Sequence, residues 1–234
     1  MKIKYIQKTT LIDYPGKIAC TIFLYGCTFR CKFCYNPELV LKEVTPDIPE
    51  QEILDFLEKR REYLQAVCFT GGEPCLSLDK EFLKKIRDMK YLIKIDTNGS
   101  LPDKLKEFIS AGFVDFVSMD LKSSFEKYSE IADCDVNIED IKKSIKTISE
   151  DLRDYEFRTT IIEKVHTEEE FEKMMKEIKE LIGGKMKRFV LQGFKNKGEM
   201  ISDEYNNTED TKKAYLNKLK DIAEDYAEKV KVRW

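Results

Sequence analysis

Histidine is nearly absent from this chain: His166 is the single one among 234 residues. A tetrahedral zinc site wants four protein ligands, so any such site here draws on that one residue or on scattered cysteines. Long apolar runs are missing too. The most apolar stretch, residues 18–26, falls well short of the roughly 20 residues that cross a bilayer, and it lies too deep in the chain for a signal peptide. The expectation is a cytoplasmic protein with no membrane partner. Charge of one sign is also lacking, since 41 Lys and Arg stand against 44 Asp and Glu for a net −3, so no bulk field recruits nucleic acid. No Gly- or Ser-rich linker, low-complexity tract or repeat of fixed period divides the sequence. Its length suits one domain, 1–234.

Cysteine is plentiful but badly arranged for disulfides. The seven lie at positions 20, 27, 31, 34, 68, 75 and 134, an odd number with three packed together. A secreted scaffold spreads matched cysteines through a short chain; clustering points instead to metal.

Apolar β-rich runs at 18–25, 66–70, 91–96, 114–119, 155–162 and 187–192 alternate with stretches of helical period, such as Ile138, Ile141, Ile145 and Ile148. Pro102 suits the first turn of its helix and Gly112 its stop. A last helical stretch precedes a terminal strand candidate at 230–234. Strands joined by helical crossovers run parallel, and a closed eight-unit barrel typically needs about 250 residues. Six units in this length predict an α/β fold, a partial, laterally open (β/α)6 barrel of parallel strands. The polar residues 195–210 read as a mobile loop.

The strongest chemical signal is Cys27-Thr28-Phe29-Arg30-Cys31-Lys32-Phe33-Cys34, just after the first of those strands. Three thiolates in a short loop can hold three irons of a cubane and leave the fourth open to a ligand. Zinc is the alternative. Three more polar motifs each follow a strand: Gly71-Gly72-Glu73-Pro74, Asp96-Thr97-Asn98-Gly99 and Asp120-Leu121-Lys122. Singly each reads equally as a turn. Together they fall on the rim where parallel barrels build their sites.

In these motifs and their order the chain resembles the radical S-adenosylmethionine (SAM) superfamily, and more narrowly the activating enzymes of glycyl-radical proteins. The segments Thr10-Leu11-Ile12-Asp13-Tyr14-Pro15-Gly16-Lys17 and Tyr155-Glu156-Phe157-Arg158-Thr159-Thr160 look most like the branch that activates anaerobic ribonucleotide reductase. The resemblance implies one [4Fe–4S] cluster on Cys27, Cys31 and Cys34, with SAM on the open iron. One electron from a low-potential donor such as flavodoxin or ferredoxin would break a carbon–sulfur bond, and the resulting radical would take hydrogen from a glycine of the partner, a glycyl-radical enzyme. By the family's pattern Phe33 lies against the adenine, and the edge from Gly71 through Gly72 to Glu73 binds the methionine amino group. Asn98, Asp120, Lys122 and Arg158 contact the ribose, the carboxylate or the partner's loop. Asp96, Thr97 and Asp120 are expected to hold a monovalent cation nearby.

The chain departs from that pattern after its fifth strand run, where Ile162-Glu163-Lys164 replaces the frequent Pro-Gly turn. With its other four cysteines scattered, only one cluster is expected. Cys20 and Cys68 read as core residues, Cys75 as a bland loop thiol and His166 as a surface or capping neighbour. Two other functions stay open: a radical SAM enzyme acting on a small molecule, of the deazapurine-precursor type, and a non-enzymatic iron–sulfur or zinc module.

Overall fold

Short runs of Val, Ile, Phe and Cys become strands because a parallel sheet buries both of their faces. The computed structural model describes residues 1–41, 47–196 and 198–234, which form an α/β fold. Its strands are β1 (Ile3–Thr10), β2 (Ala19–Leu24), β3 (Ala66–Gly71), β4 (Leu92–Thr97), β5 (Phe116–Asp120), β6 (Tyr155–Ile161), β7 (Phe189–Gly193) and β8 (Val230–Arg233). They follow one another in the sheet in chain order. The pairs β2–β3, β3–β4, β6–β7 and β7–β8 are parallel. The six expected strands are β2–β7, and the terminal candidate is β8.

Strand β1 is an addition to the expected set. It pairs antiparallel with β2, from Ile3 opposite Leu24 to Thr10 opposite Ala19. Only its two end residues are buried, and Lys4 and Lys8 lie between them. Such a strand shows neither an apolar run nor a clean alternation, which is how charged sheet edges avoid pairing with other chains.

The chain groups into two compact units. The first comprises Met1–Thr28, Asn36–Thr97 and Asp103–Val117. It holds β1 to β4, the start of β5, and helices α1 (Pro37–Leu41), α2 (Glu50–Lys59), α3 (Pro74–Ser77), α4 (Lys80–Asp88) and most of α5 (Pro102–Ser110). Local chemistry sets the helix ends. Asp79 caps α4 by accepting from the Glu81 and Phe82 N–H groups at 2.9 and 3.1 Å. Gly112, at φ 70°, closes α5 in the left-handed conformation that glycine tolerates. Phe82 of α4 packs edge-on against Phe69 of β3, with ring centroids 6.4 Å apart.

The second unit comprises Phe29–Tyr35, Asn98–Pro102 and Ser118–Trp234. It holds the rest of β5, α6 (Tyr128–Ala132), α7 (Ile138–Asp151), β6, α8 (Glu168–Ile182), β7, α9 (Asp203–Asn206), α10 (Lys213–Ala223) and β8. Thr159 of β6 contacts Met174 of α8, and Phe171 of α8 packs on Phe189 of β7. Residues of β6 alternate, so Glu156 and Arg158 take the opposite face. There the buried Glu156 carboxylate accepts from Ser118 Oγ at 2.6 Å and from Arg233 Nη2 at 3.0 and 3.2 Å.

Residues 195–210 are more ordered than a plain loop, although Lys197 lies outside the described residues. They contain α9, and their polar side chains satisfy their own backbone: Asn196 N–H donates to Asp210 at 2.8 Å and Met200 N–H to Asn206 at 2.7 Å. Among the described residues no helix is long and apolar enough to cross a membrane.

Arg233→Ala removes the cation that faces the buried Glu156. Because Arg233 is itself 38% exposed, we expect a loss of about 2 kcal/mol rather than the larger cost of splitting a fully buried pair. Guanidinium unfolding checks this, with exposed Lys231→Ala expected to change little.

Candidate cluster and cofactor site

In the first unit the Gly-Gly-Glu turn lies flat against the backbone that leads into Cys27. Gly72 N–H donates to Leu24 O at 2.9 Å, and Glu73 N–H to Gly26 O at 2.7 Å. A Cβ on Gly72 would sit 1.9 Å from Gly26 O, and one on Gly71 2.4 Å from Leu24 O. Only glycine permits that approach. Glu73 is fully buried, and its Oε1 accepts from Cys75 N–H at 2.9 Å and from Thr97 Oγ1 at 2.8 Å. The carboxylate thus caps α3 and ties it to the end of β4, so it shapes the glycine edge from within.

Cys75 is a buried thiol on α3, pushed well above the ordinary value by burial and then by the neighbouring Glu73, which suits an inert residue. Cys20 and Cys68 are core residues, and burial pushes the Cys20 thiol up to about 12. Asp96 is paired with Lys94, a buried ammonium that also lies 6.0 Å from the Phe116 ring centroid.

In the second unit Cys31 is buried and Cys34 half-buried, with Cys34 N–H donating to Cys31 O at 3.0 Å. Between them Phe33 is 6% exposed. Asn98 is buried, and its Oδ1 accepts from Ser100 N–H at 2.9 Å. This bond, with Gly99 at φ 78°, makes the Asn-Gly turn. Asp120, Lys122 and Arg158 come together: Arg158 Nε and Nη2 donate to Asp120 Oδ1 and Oδ2 at 2.6 and 3.2 Å, and Lys122 Nζ is 3.7 Å from Oδ2. Burial works against the Lys122 charge, but Asp120 and then Cys31 more than offset it and hold the ammonium above its ordinary value. Reciprocally, burial raises the Cys31 thiol while Lys122 draws it down.

His166 is buried rather than on the surface, at 1% exposure. Its Nδ1 accepts from Ile162 N–H at 3.1 Å, so the proton sits on Nε2, which donates to Lys122 O at 2.9 Å. The ring therefore ties the loop after β5 to the loop after β6. Glu170, in the first turn of α8, reinforces the same loop by accepting from Ser123 Oγ at 2.9 Å and Ser124 N–H at 3.2 Å. Neither role has a local sequence signal, because each depends on backbone or hydroxyl partners in the loop after β5, more than 40 residues away.

The donor chemistry fits an iron–sulfur cluster. Cys27, Cys31 and Cys34 are free of disulfides, and a half-buried cation, Lys122, beside Cys31 suits a thiolate-ligated, negatively charged group. Among the described residues no three His, Cys, Asp or Glu side chains converge as a single ion requires. A cubane places each thiolate on a different iron.

Burial lowers the His166 pKa below its ordinary 6.5, so the folded protein keeps the ring neutral while the unfolded chain protonates it. Stability from this term is fully present above pH 6.5 and is lost as pH falls below it. We expect His166→Gln to flatten the slope of unfolding free energy between about pH 6.5 and 5, measured by urea titration at each pH.

Comparison with known proteins agrees with this geometry. The model of the radical SAM superfamily matches residues 21–178. A Methanocaldococcus jannaschii protein named provisionally as a glycyl-radical enzyme activating enzyme is 32% identical over 236 residues, spanning 97% of this chain and 94% of its own length. A 7-carboxy-7-deazaguanine synthase of Thermoplasma acidophilum is 28% identical over 141 residues, 59% of this chain and 64% of its own. The crystal structure of Streptococcus suis SuiB bound to S-adenosylmethionine shares the fold with a TM-score of 0.68 at 18% identity. That match covers 91% of this chain and 50% of SuiB. The chain belongs to the radical SAM superfamily, enzymes that use a [4Fe–4S] cluster and S-adenosylmethionine.

Proposed function

We propose that this chain is an activase that installs a glycyl radical on a partner enzyme, with anaerobic ribonucleotide reductase the partner its sequence favours. The observation that carries the reading is the likeness to a protein so named, which runs along almost the whole of both chains. In this reading Cys27, Cys31 and Cys34 hold the cluster, and flavodoxin or ferredoxin delivers the electron. When bound, the cofactors supply reductive cleavage of a carbon–sulfur bond and abstraction of a hydrogen atom.

The chain's own residues bind and orient. Lys122, kept protonated by Asp120, offers a fixed cation to a carboxylate. Arg158 is locked on Asp120 in a two-point pair, which leaves the Asp120 carboxylate oriented before any ligand arrives. The glycine edge offers its backbone to the ammonium, and the buried Glu73 holds that edge in place through its bonds to Cys75 and Thr97. Phe33 supplies an apolar ring for the adenine, and Asn98 an amide for the ribose.

A second reading, action on a small molecule, draws on the partial likeness to a 7-carboxy-7-deazaguanine synthase. The two separate in one experiment. Anaerobically reconstituted protein, SAM, a reductant and a panel of candidate glycyl-radical enzymes should give the doublet of a glycyl radical in electron paramagnetic resonance. No doublet with any partner, together with SAM cleavage stimulated by a metabolite alone, overturns the activase reading.

A further inference from the structure

Lys164 lies among the residues that replace the family's Pro-Gly turn. The polar segment around α9 packs on the loop that carries the second and third cysteines, and Lys164 packs on that segment, all within the second unit. Ser202 N–H donates to Lys32 O at 3.0 Å. The Tyr205 ring lies 5.8 Å from the Phe33 ring, and each of the two residues is only 6% exposed. One residue beyond Cys34, the Tyr35 hydroxyl accepts from Lys195 N–H at 2.8 Å, and its ring stacks on Phe194 at 5.9 Å and 21°. From the other side Lys164 Nζ sits 4.2 Å above the Tyr205 ring and 2.8 Å from Glu204 Oε1.

The cysteine loop needs such support. The loop carries one bond within itself, from Cys34 N–H to Cys31 O, and one from outside, where Lys32 O accepts from Ser202 N–H; a loop of four residues draws its fixed shape from such outside contacts as well as from its own. Helix α9 has four residues, too few to persist without tertiary contacts. Each segment is thus ordered by the other. Phe33 is covered by Tyr205, and the Tyr205 hydroxyl is raised by the same burial.

We infer that the Lys164–Tyr205–Phe33 contact series is a strap that holds the loop between Cys31 and Cys34 in its ligating shape, with Tyr205 as the positioning residue. The inference rests on the reading that these cysteines bind the cluster, and it goes beyond it by assigning cluster retention to a segment more than 160 residues away. It also gives the departure at Lys164 a purpose. Where a Pro-Gly turn has no charged side chain to offer, the lysine reaches over and pins the strap's tyrosine and glutamate.

The test uses wild type, Tyr205→Ala, Tyr205→Phe and Lys164→Ala, each checked for native circular dichroism. In reconstituted protein the rate at which an iron chelator bleaches the cluster absorbance is measured anaerobically. In metal-free protein the rate of iodoacetamide labelling at each cysteine is read by peptide mass spectrometry. Tyr205→Ala should raise both the bleaching rate and the labelling of Cys31 and Cys34 about tenfold, the scale of one lost aromatic pair in a local opening. Tyr205→Phe should restore wild-type rates, and Lys164→Ala should raise them about two- to threefold. Unchanged rates in Tyr205→Ala overturn the strap, as does faster labelling that extends equally to the core residues Cys20 and Cys68. If wild type retains no cluster, the cofactor reading fails instead, while the labelling of metal-free protein still decides the strap.

Discussion

In the second unit two cations and a carboxylate meet where β5 ends, beside the Cys31 thiol. Charges removed from water persist only when they are paired, and here Asp120 serves both Arg158 and Lys122. The rest of that unit's site depends on keeping this pairing in place. His166 fixes the Lys122 backbone, Glu170 fixes Ser123 and Ser124, and Tyr128 donates to Asp120 O at 3.2 Å. A neutral, buried histidine is well suited to the task because it braces two loops without adding a charge to the balance.

The first unit solves a different problem, that of bringing one loop flat against another. Gly71 and Gly72 leave no side chain between β2's exit and the turn after β3, and the buried Glu73 carboxylate anchors that turn through α3 and Thr97. The motif is therefore as much a packing device as a binding edge. Its spacing follows from the two hydrogen bonds to Leu24 and Gly26 that sit immediately before Cys27.

Much of this was legible in the sequence where the signal is local. Strands β2 to β7 announce themselves as apolar β-rich runs, and Pro102 and Gly112 bracket α5 as their backbone preferences require. The cysteine loop is legible because its three thiols are neighbours in the chain. What escaped detection depends on distant partners. Strand β1 carries lysines at a sheet edge and shows no periodicity. His166 is indistinguishable from a surface residue until its backbone partners at Ile162 and Lys122 are seen. The segment around α9 has a loop's composition because its Asn, Asp and Ser side chains bond its own backbone, and its docking on Lys32 and Phe33 has no pattern to find. Glu73 looks like a ligand for an ammonium, yet its Oε1 accepts from two groups of the protein itself.

In the proposed function, Cys27, Cys31 and Cys34 grip a single cubane and leave one of its irons free for SAM. Mössbauer and electron paramagnetic resonance spectra of anaerobically reconstituted protein, recorded with and without SAM, test it most directly. The expected result is one [4Fe–4S] cluster per chain, with one iron whose signal changes when SAM is added. Stoichiometric zinc in place of iron, or a cluster whose spectra are indifferent to SAM, would contradict it.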